Sequence, residues 1–377
     1  MMLISIGLAL LVLVATVLFL RKPSPRAATS AVRPTRPVER TQAQAAAVPR
    51  PPSDVTLPHV PFASAAPALL ADFRLIRGDE IADDLRRQLV ATFKEIPRPP
   101  KLLYRLLSPD FVNEASSAQL VDLIAGEPQI AAKLLSAINS PMVGLKAPVG
   151  SIGQAVTYLG LNTVRSLCLQ YILIASFKSD GEDRKRMLDA TWRAGALASE
   201  LTQRVAQRLE FAERGAMVSS VVLSFLGRLG TTASMAREQL SKIVPHGLLE
   251  RTISEQHTLG LSSSQVGRLL MDDWALPAAI VADAAGIDDL LFTPAAAFGA
   301  DRAARLAVCY LCARLGERLA EGTLIDLYSV DPLAGADPEF FHLRGYLASP
   351  KLARLVQVVQ SPEIGDGIAP MLASMRR

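Results

Sequence analysis

The chain has 377 residues, of which 50% are hydrophobic and only 5% aromatic, and its formal net charge is +4. That length allows two domains, and so few aromatic residues leave a core built from Leu, Ala, Val and Ile, which favours helices. Three cysteines exclude a disulfide framework and suit a reducing compartment.

Residues Met1 to Leu20 carry no charged side chain. The apolar run from Leu3 to Leu20 would span roughly 27 Å as a helix, enough to cross a bilayer. It lacks a basic start and a clean small-residue cleavage site, so an uncleaved anchor is expected rather than a signal peptide. Arg21, Lys22, Arg26, Arg33, Arg36, Arg40 and Arg50 all follow it, which places the rest of the chain in the cytoplasm. Against these seven stand Glu39 and Asp54, so the segment from Arg21 to Pro58 is +5 and the remainder of the chain is −1. The pI of 9.0 therefore reflects a tether beside an anionic membrane surface, and no nucleic-acid partner is expected. Rich in Pro, Ala, Arg and Thr, residues 21–68 read as a disordered linker between the anchor at 1–20 and a helical domain at 69–377.

From Asp79 to Phe93, Ile81, Leu85, Leu89, Val90 and Phe93 fall on one stripe and predict an amphipathic helix. Pro97, Pro99 and Pro100 stop it, and Leu102 to Leu107 resumes as a short helix. Ser116 and Gln119 form a capping box for a helix that buries Leu120, Leu123 and Ile124. Gly126 ends that helix, and Pro128 sits in the first turn of the next, whose buried face is Ile130, Leu134, Leu135 and Ile138. Pro141 forbids continuation past Asn139 and Ser140. Ser151 is expected to cap Ile152 to Leu159, Gly160 to close it, and Asn162 to cap a long apolar helix reaching Phe177. Helices follow at Arg184 to Arg208, at residues 211–236 as one or two pieces, and at Gln265 to Met271 and Leu276 to Ala285 around Trp274. A last group covers Arg302 to Leu319 and Ser349 to Val359, with Gly322 to Pro338 as a surface loop or insertion. Gly150, Gly153, Gly227 and Gly230 read as helix-end caps. Cys309 and Cys312 have CxxC spacing inside a helical pattern without a second pair, which describes two small buried residues one turn apart. No alternating strand occurs, so the fold class is all-α.

Between Ile96 and Phe177 the punctuation forms an ordered set: Glu127-Pro128, Asn139-Ser140, Gly144-Leu145, Pro148-Val149-Gly150-Ser151-Ile152, and Leu159-Gly160-Leu161-Asn162-Thr163-Val164-Arg165. This set resembles the opening helices of the HDOD domain, a signalling relative of the HD-type metal-dependent phosphohydrolases. Glu255, Gly260 and Gly267 match a later family signature. The resemblance covers about residues 93–285 and leaves 286–377 divergent. It implies a multi-helix HD-like bundle acting in signal transduction or regulation through other signalling proteins. Combined with the anchor, it implies a domain on the cytoplasmic face of a bacterial inner membrane.

Catalytic relatives hold a metal pair with a His on one helix, a His-Asp on the next and a further Asp or His later. Here the matching positions are Ala194, then Ser224 and Phe225, then Ser262 and Ser263. Methyl, phenyl and hydroxyl groups are poor divalent-metal ligands, so neither a metal nor another cofactor nor hydrolysis is expected. The alternatives are a degenerate pocket that binds a nucleotide without turnover and, weakest, an active phosphodiesterase. His59, His246, His257 and His342 include no pair at ligand spacing, and His257, beside Glu255, reads as structural. No phosphate-binding Gly loop, GxSxG elbow or Cys/His pair is present. Arg98, Lys101 and Arg105 on one face, Arg165, and the run Arg184-Lys185-Arg186 are solvated faces or a docking surface for an acidic partner or nucleotide. Asn139, Ser140 and Asn162 read as residues that satisfy backbone groups at tight turns.

Overall fold

A computed structural model describes residues 66–177, 181–243, 247–333 and 337–375. The expected anchor, the linker up to residue 65, His59 and His246 lie outside the described residues. Among the described residues the secondary structure is helical throughout, with no strand.

The first helices are short because proline and serine punctuate them. They are α1 (Asp83–Phe93), α2 (Lys101–Leu107), α3 (Pro109–Glu114), α4 (Ser117–Ala125) and α5 (Pro128–Ile138). The first starts at Asp83 rather than Asp79, after a turn in which the Arg77 N–H donates to Glu80. Both halves of the Ser116/Gln119 capping box are made. Next come α6 (Ile152–Leu159), α7 (Leu161–Ala175) and α8 (Glu182–Arg208). Gly160, at φ +84°, closes α6 and also serves as the N-cap of α7. Asn162 therefore lies inside the first turn of α7 and is not its cap, because the glycine alone adopts the backbone turn that separates the two helices.

The segment 211–236 divides at Phe225 into α9 (Arg214–Ser224) and α10 (Leu226–Ser234). Beyond it lie α11 (Leu248–Leu259), α12 (Ser263–Asp273), α13 (Ala278–Asp289) and α14 (Ala300–Glu321). The C-terminal group is α15 (Phe341–Leu347), α16 (Leu355–Val359) and α17 (Pro362–Met375). The expected Ser349 to Val359 helix is broken into a 3₁₀ turn and α16, because Pro350 and the Arg354 backbone interrupt it. The described part of Gly322 to Pro338 is free of helix until Pro338.

Two apolar cores form. One joins α1, α2 and α4 to α7 with α10, α12 and α13; the other joins α8 with α14 to α17. Helix α9 belongs to both. Met217 and Val221, four residues apart, face the second core, and Val222 and Leu223 face the first. This explains why Arg214–Ser234 is long and apolar enough to cross a membrane by composition while most of it is buried in the interior. The divergent region after Gly286 is part of this architecture. Helix α14 crosses α8 so closely that a Cβ on Gly316 would sit 2.6 Å from the Ala198 backbone nitrogen. Cys168, Cys309 and Cys312 are buried free thiols, and burial pushes Cys168 and Cys312 up to about 12.

Gly227 is not a cap. It lies in the first turn of α10 against Gly267 of α12, and a Cβ on Gly227 would overlap the Ser263 carbonyl. The two glycines let α10 and α12 cross backbone to backbone, which fixes the positions of Arg228 and Ser263.

Candidate functional site

The positions that match the catalytic metal site converge only in part. Ser224 and Phe225, at the α9–α10 junction, and Ser263, opening α12, line one cavity. Ser262 faces away as the N-cap of α12, and Ala194 is buried in the second core with Phe225. The cavity measures about 10 Å³, room for one water.

An ion cluster closes it. Glu317 of α14 accepts hydrogen bonds from three guanidinium groups: Arg228 of α10, Arg251 of α11 at 2.7 Å, and Arg314 one turn earlier on its own helix at 2.5 Å. Arg314 also reaches Asp288 of α13 at 3.1 Å. Glu255, one turn after Arg251, accepts from the Ser263 backbone N–H and hydroxyl, both at 2.6 Å, and so caps α12 with a carboxylate. Arg251, Glu255, Arg314 and Glu317 are each 5% exposed or less.

Burial alone would push the Glu317 carboxyl up, but Arg251, Arg314 and Arg228 outweigh it and hold it at about 2. Glu255 and Asp288 go the other way. Burial raises both above the usual carboxylate range, against the pull of Arg251 and Arg314 respectively. The donor set present does not fit a divalent metal. The nearest groups are a phenyl ring, hydroxyls and three cations, and the carboxylates are already engaged by those cations. Among the described residues no group of three or more His, Cys, Asp or Glu stands at metal-holding distance.

Beside the cluster an open groove of about 490 Å³ runs along α8 and α10. Arg228, Arg251, Glu255 and Ser263 form part of its wall, and Met187, Ala190, Leu240 and Ile243 make much of the rest.

The HDOD domain matches residues 96–289, about half of the chain. The chain belongs to the HDOD domain family. The HDOD fold is shared with an HDOD domain protein of unknown function from Geobacter sulfurreducens, at TM-score 0.55 and 18% identity, covering 78% of this chain and 97% of that one. A protein from Marinobacter aquaeolei VT8, described as a signal transduction protein, superposes at TM-score 0.53 and 18% identity over 82% of this chain and 69% of its own. At such identity the likeness is one of fold. No curated protein matches the sequence.

Within the HDOD segment the motif residues do structural work. The Asn139 side chain accepts from the Val149 N–H at 2.8 Å and donates to the Val149 carbonyl at 2.9 Å, tying down the loop between α5 and α6. That loop contains Ser140, Gly144 at φ +70° and Pro148, and Ser151 caps α6 by accepting from Gln154. Glu127 and Pro128 start α5, and Gly260, at φ +81°, closes α11 against Leu85. Arg165 is fully buried, donating to the Val112 carbonyl at 3.2 Å. It is a core residue and no surface charge, and burial lowers it to about 10.

The expected basic surface is partly committed inside the HDOD fold. Arg184 donates to the carbonyls of Ala233 and Met235, Arg186 pairs with Asp183, and Arg98 lies 3.5 Å from Asp273. Lys101 and Arg105 are exposed on α2, and Lys185 is exposed on α8. His257 is exposed in the last turn of α11. Arg228, Arg251, Asp288, Arg314 and Glu317 were missed by sequence reasoning. The signal available was spacing alone, with Arg251 and Glu255 at i, i+4 and Arg314 and Glu317 at i, i+3.

Proposed function

We propose that this HDOD protein is a membrane-anchored, non-catalytic signal-transduction or regulatory protein that acts through protein–protein contacts. One observation carries the non-catalytic part of the reading. Where the catalytic relatives need open metal positions, Glu317 is ligated by three arginines and the remaining space holds about one water. Removing Glu317 would leave three guanidinium groups short of their shared counter-charge, so the cluster behaves as a structural unit. The anchor rests on the uncharged run from Leu3 to Leu20 and the basic residues after it.

The size of the neighbouring groove suits a small ligand, which favours nucleotide binding without turnover as the second reading. Its arginines are already paired, Arg228 and Arg251 with Glu317 and Arg186 with Asp183, so a phosphate would have to displace carboxylates, and the first reading is preferred.

The test uses the purified full chain. Less than a tenth of an equivalent of iron, manganese or zinc is expected, roughly, with no hydrolysis of a nucleotide phosphodiester and no saturable binding of a cyclic dinucleotide. Stoichiometric metal with chelator-sensitive hydrolysis would sink the non-catalytic reading. A reporter fused after Arg377 should be active only in a cytoplasmic form; periplasmic activity contradicts the topology.

A further inference from the structure

Between the short helical turn Ala68–Ala71 and α1, residues 73–80 run without helix. Leu70, before them, is buried in the second core, and Ile81 and Leu85, after them, pack against the first. The segment is a strap pinned at one end on each core.

Among the described residues no backbone–backbone hydrogen bond joins this strap to the rest of the domain. Side chains hold it instead. Gln256 of α11 donates to the Arg74 carbonyl at 2.9 Å and accepts from the Ile76 N–H at 2.8 Å. Gln265 of α12 accepts from the Gly78 N–H at 3.1 Å and donates to Asp289 at 3.1 Å, and Asp289 in turn lies 3.4 Å from the Arg77 guanidinium. Because Arg77 and Gly78 are consecutive, these bonds close a circuit. Phe73 packs on Phe292 with ring centroids 5.1 Å apart, and Arg86 of α1 holds the Gly78 carbonyl.

The strap also holds its own shape, since Glu80 accepts from the Arg74 side chain at 2.6 Å and from the Arg77 N–H at 2.9 Å. Those bonds need nothing from the domain. None of the strap's side chains is fully buried: Phe73, Leu75 and Ile76 are half-buried and the charged ones are exposed. The side chains it covers, Gln265 and Asp289, are buried but polar, so water can satisfy them once they are uncovered. An open cavity of about 230 Å³, lined in part by Arg77, Gly78, Gln265 and Arg268, brings solvent to the edge of the circuit. A segment with few buried apolar contacts and its own internal bonds belongs to the low-stability end of a fold.

We propose that residues 73–80 are a lid that lifts as one unit while both cores stay folded, uncovering Gln256, Gln265 and Asp289. Those three side chains lie one or two positions from Glu255, Ser263 and Asp288, which belong to the ion cluster or bond to it. Lifting the strap therefore removes a support from the elements that hold the cluster. The inference does not depend on the proposed function.

Native-state hydrogen exchange of the full chain in lipid nanodiscs, read residue by residue by mass spectrometry, tests it. The reporters are the Ile76 and Gly78 amides, which donate to different glutamines, with Leu201 and Leu169 reporting the two cores. The strap amides should have opening constants within about threefold of each other and at least about 100-fold larger than those of the core amides. Gln256→Ala removes only the bonds to Arg74 and Ile76, yet it should speed exchange at Ile76 and Gly78 alike, by at least about fivefold, and leave Leu169 and Leu201 unchanged. Failure of Gly78 to accelerate in the variant would overturn the proposal. Three results on the unmodified chain would overturn it whether or not the variant folds: strap amides that exchange as a free peptide does, strap amides within about 100-fold of the core, or opening constants at Ile76 and Gly78 more than about threefold apart.

Discussion

Asn139 shows how a motif residue acts through one neighbour. Its amide matches the donor and acceptor of a single peptide group at Val149, ten residues away, and Val149 is itself buried. Asn139→Ala should cost about 1–2 kcal/mol in denaturant unfolding, with Asn139→Asp in between because it keeps the acceptor and loses the donor. Asp289 offers a pH test. Burial raises its carboxyl from 3.8 to about 6, against Arg77. Since the folded value lies above the unfolded one, the folded state binds the proton more tightly, and the contribution of Asp289 to stability should fall as pH rises from about 4 to 6 and stay flat above. Asp289→Asn keeps the oxygen that accepts from Gln265 and removes that share of the decline, so it should be more stable than the parent at pH 7 by about 2–3 kcal/mol. Asn139 was legible in the sequence as a turn-forming residue because its work is local. The role of Asp289 was not, because burial depends on α12 and on the segment before α1, which lie far from it in sequence.

At the scale of the element, the helices that the sequence announced are those with a side-chain or proline signal at their starts, such as Ser116, Pro128 and Ser151. Helices α11 and α15 carried no comparable start signal and were not expected as elements, and Pro362, which opens α17 as Pro128 opens α5, was passed over. Glycine was misread for a related reason. A cap is a property of one helix, whereas Gly227 and Gly316 matter because a second helix passes against them, and a single sequence does not show that crossing. The crossings give an order of costs. Gly227→Ala must push the Ser263 backbone aside and should cost about 3 kcal/mol or more; Gly316→Ala, 2.6 Å from Ala198, should cost about 1–3 kcal/mol. Gly267→Ala, whose Cβ would lie 2.9 Å from the Gly227 nitrogen, should cost least of the three in chemical denaturation. Equal costs at Gly227 and Gly267 would contradict the crossing geometry.

For the molecule as a whole, the ion cluster bridges both cores. Arg228 and Ser263 come from helices of the first core and Glu317 from the second, while Glu339, from the divergent end, caps α11 by accepting from Leu248 and Leu249. The identities of Ala194, Ser224, Phe225, Ser262 and Ser263 are legible in the sequence. The ion cluster beside some of them was not, because its arginines and carboxylates are scattered over ninety residues and only the fold gathers them. The central proposal is that charge pairing around Glu317 takes the place of a metal. Thermal unfolding of the full chain tests it most directly, with and without a strong chelator and with Glu317→Gln in parallel. The account predicts no change with chelator and a fall of roughly 5–10 °C in the variant, from about 3–5 kcal/mol for breaking a buried pair. A chelator-induced fall of several degrees, or a variant as stable as the parent, would contradict it.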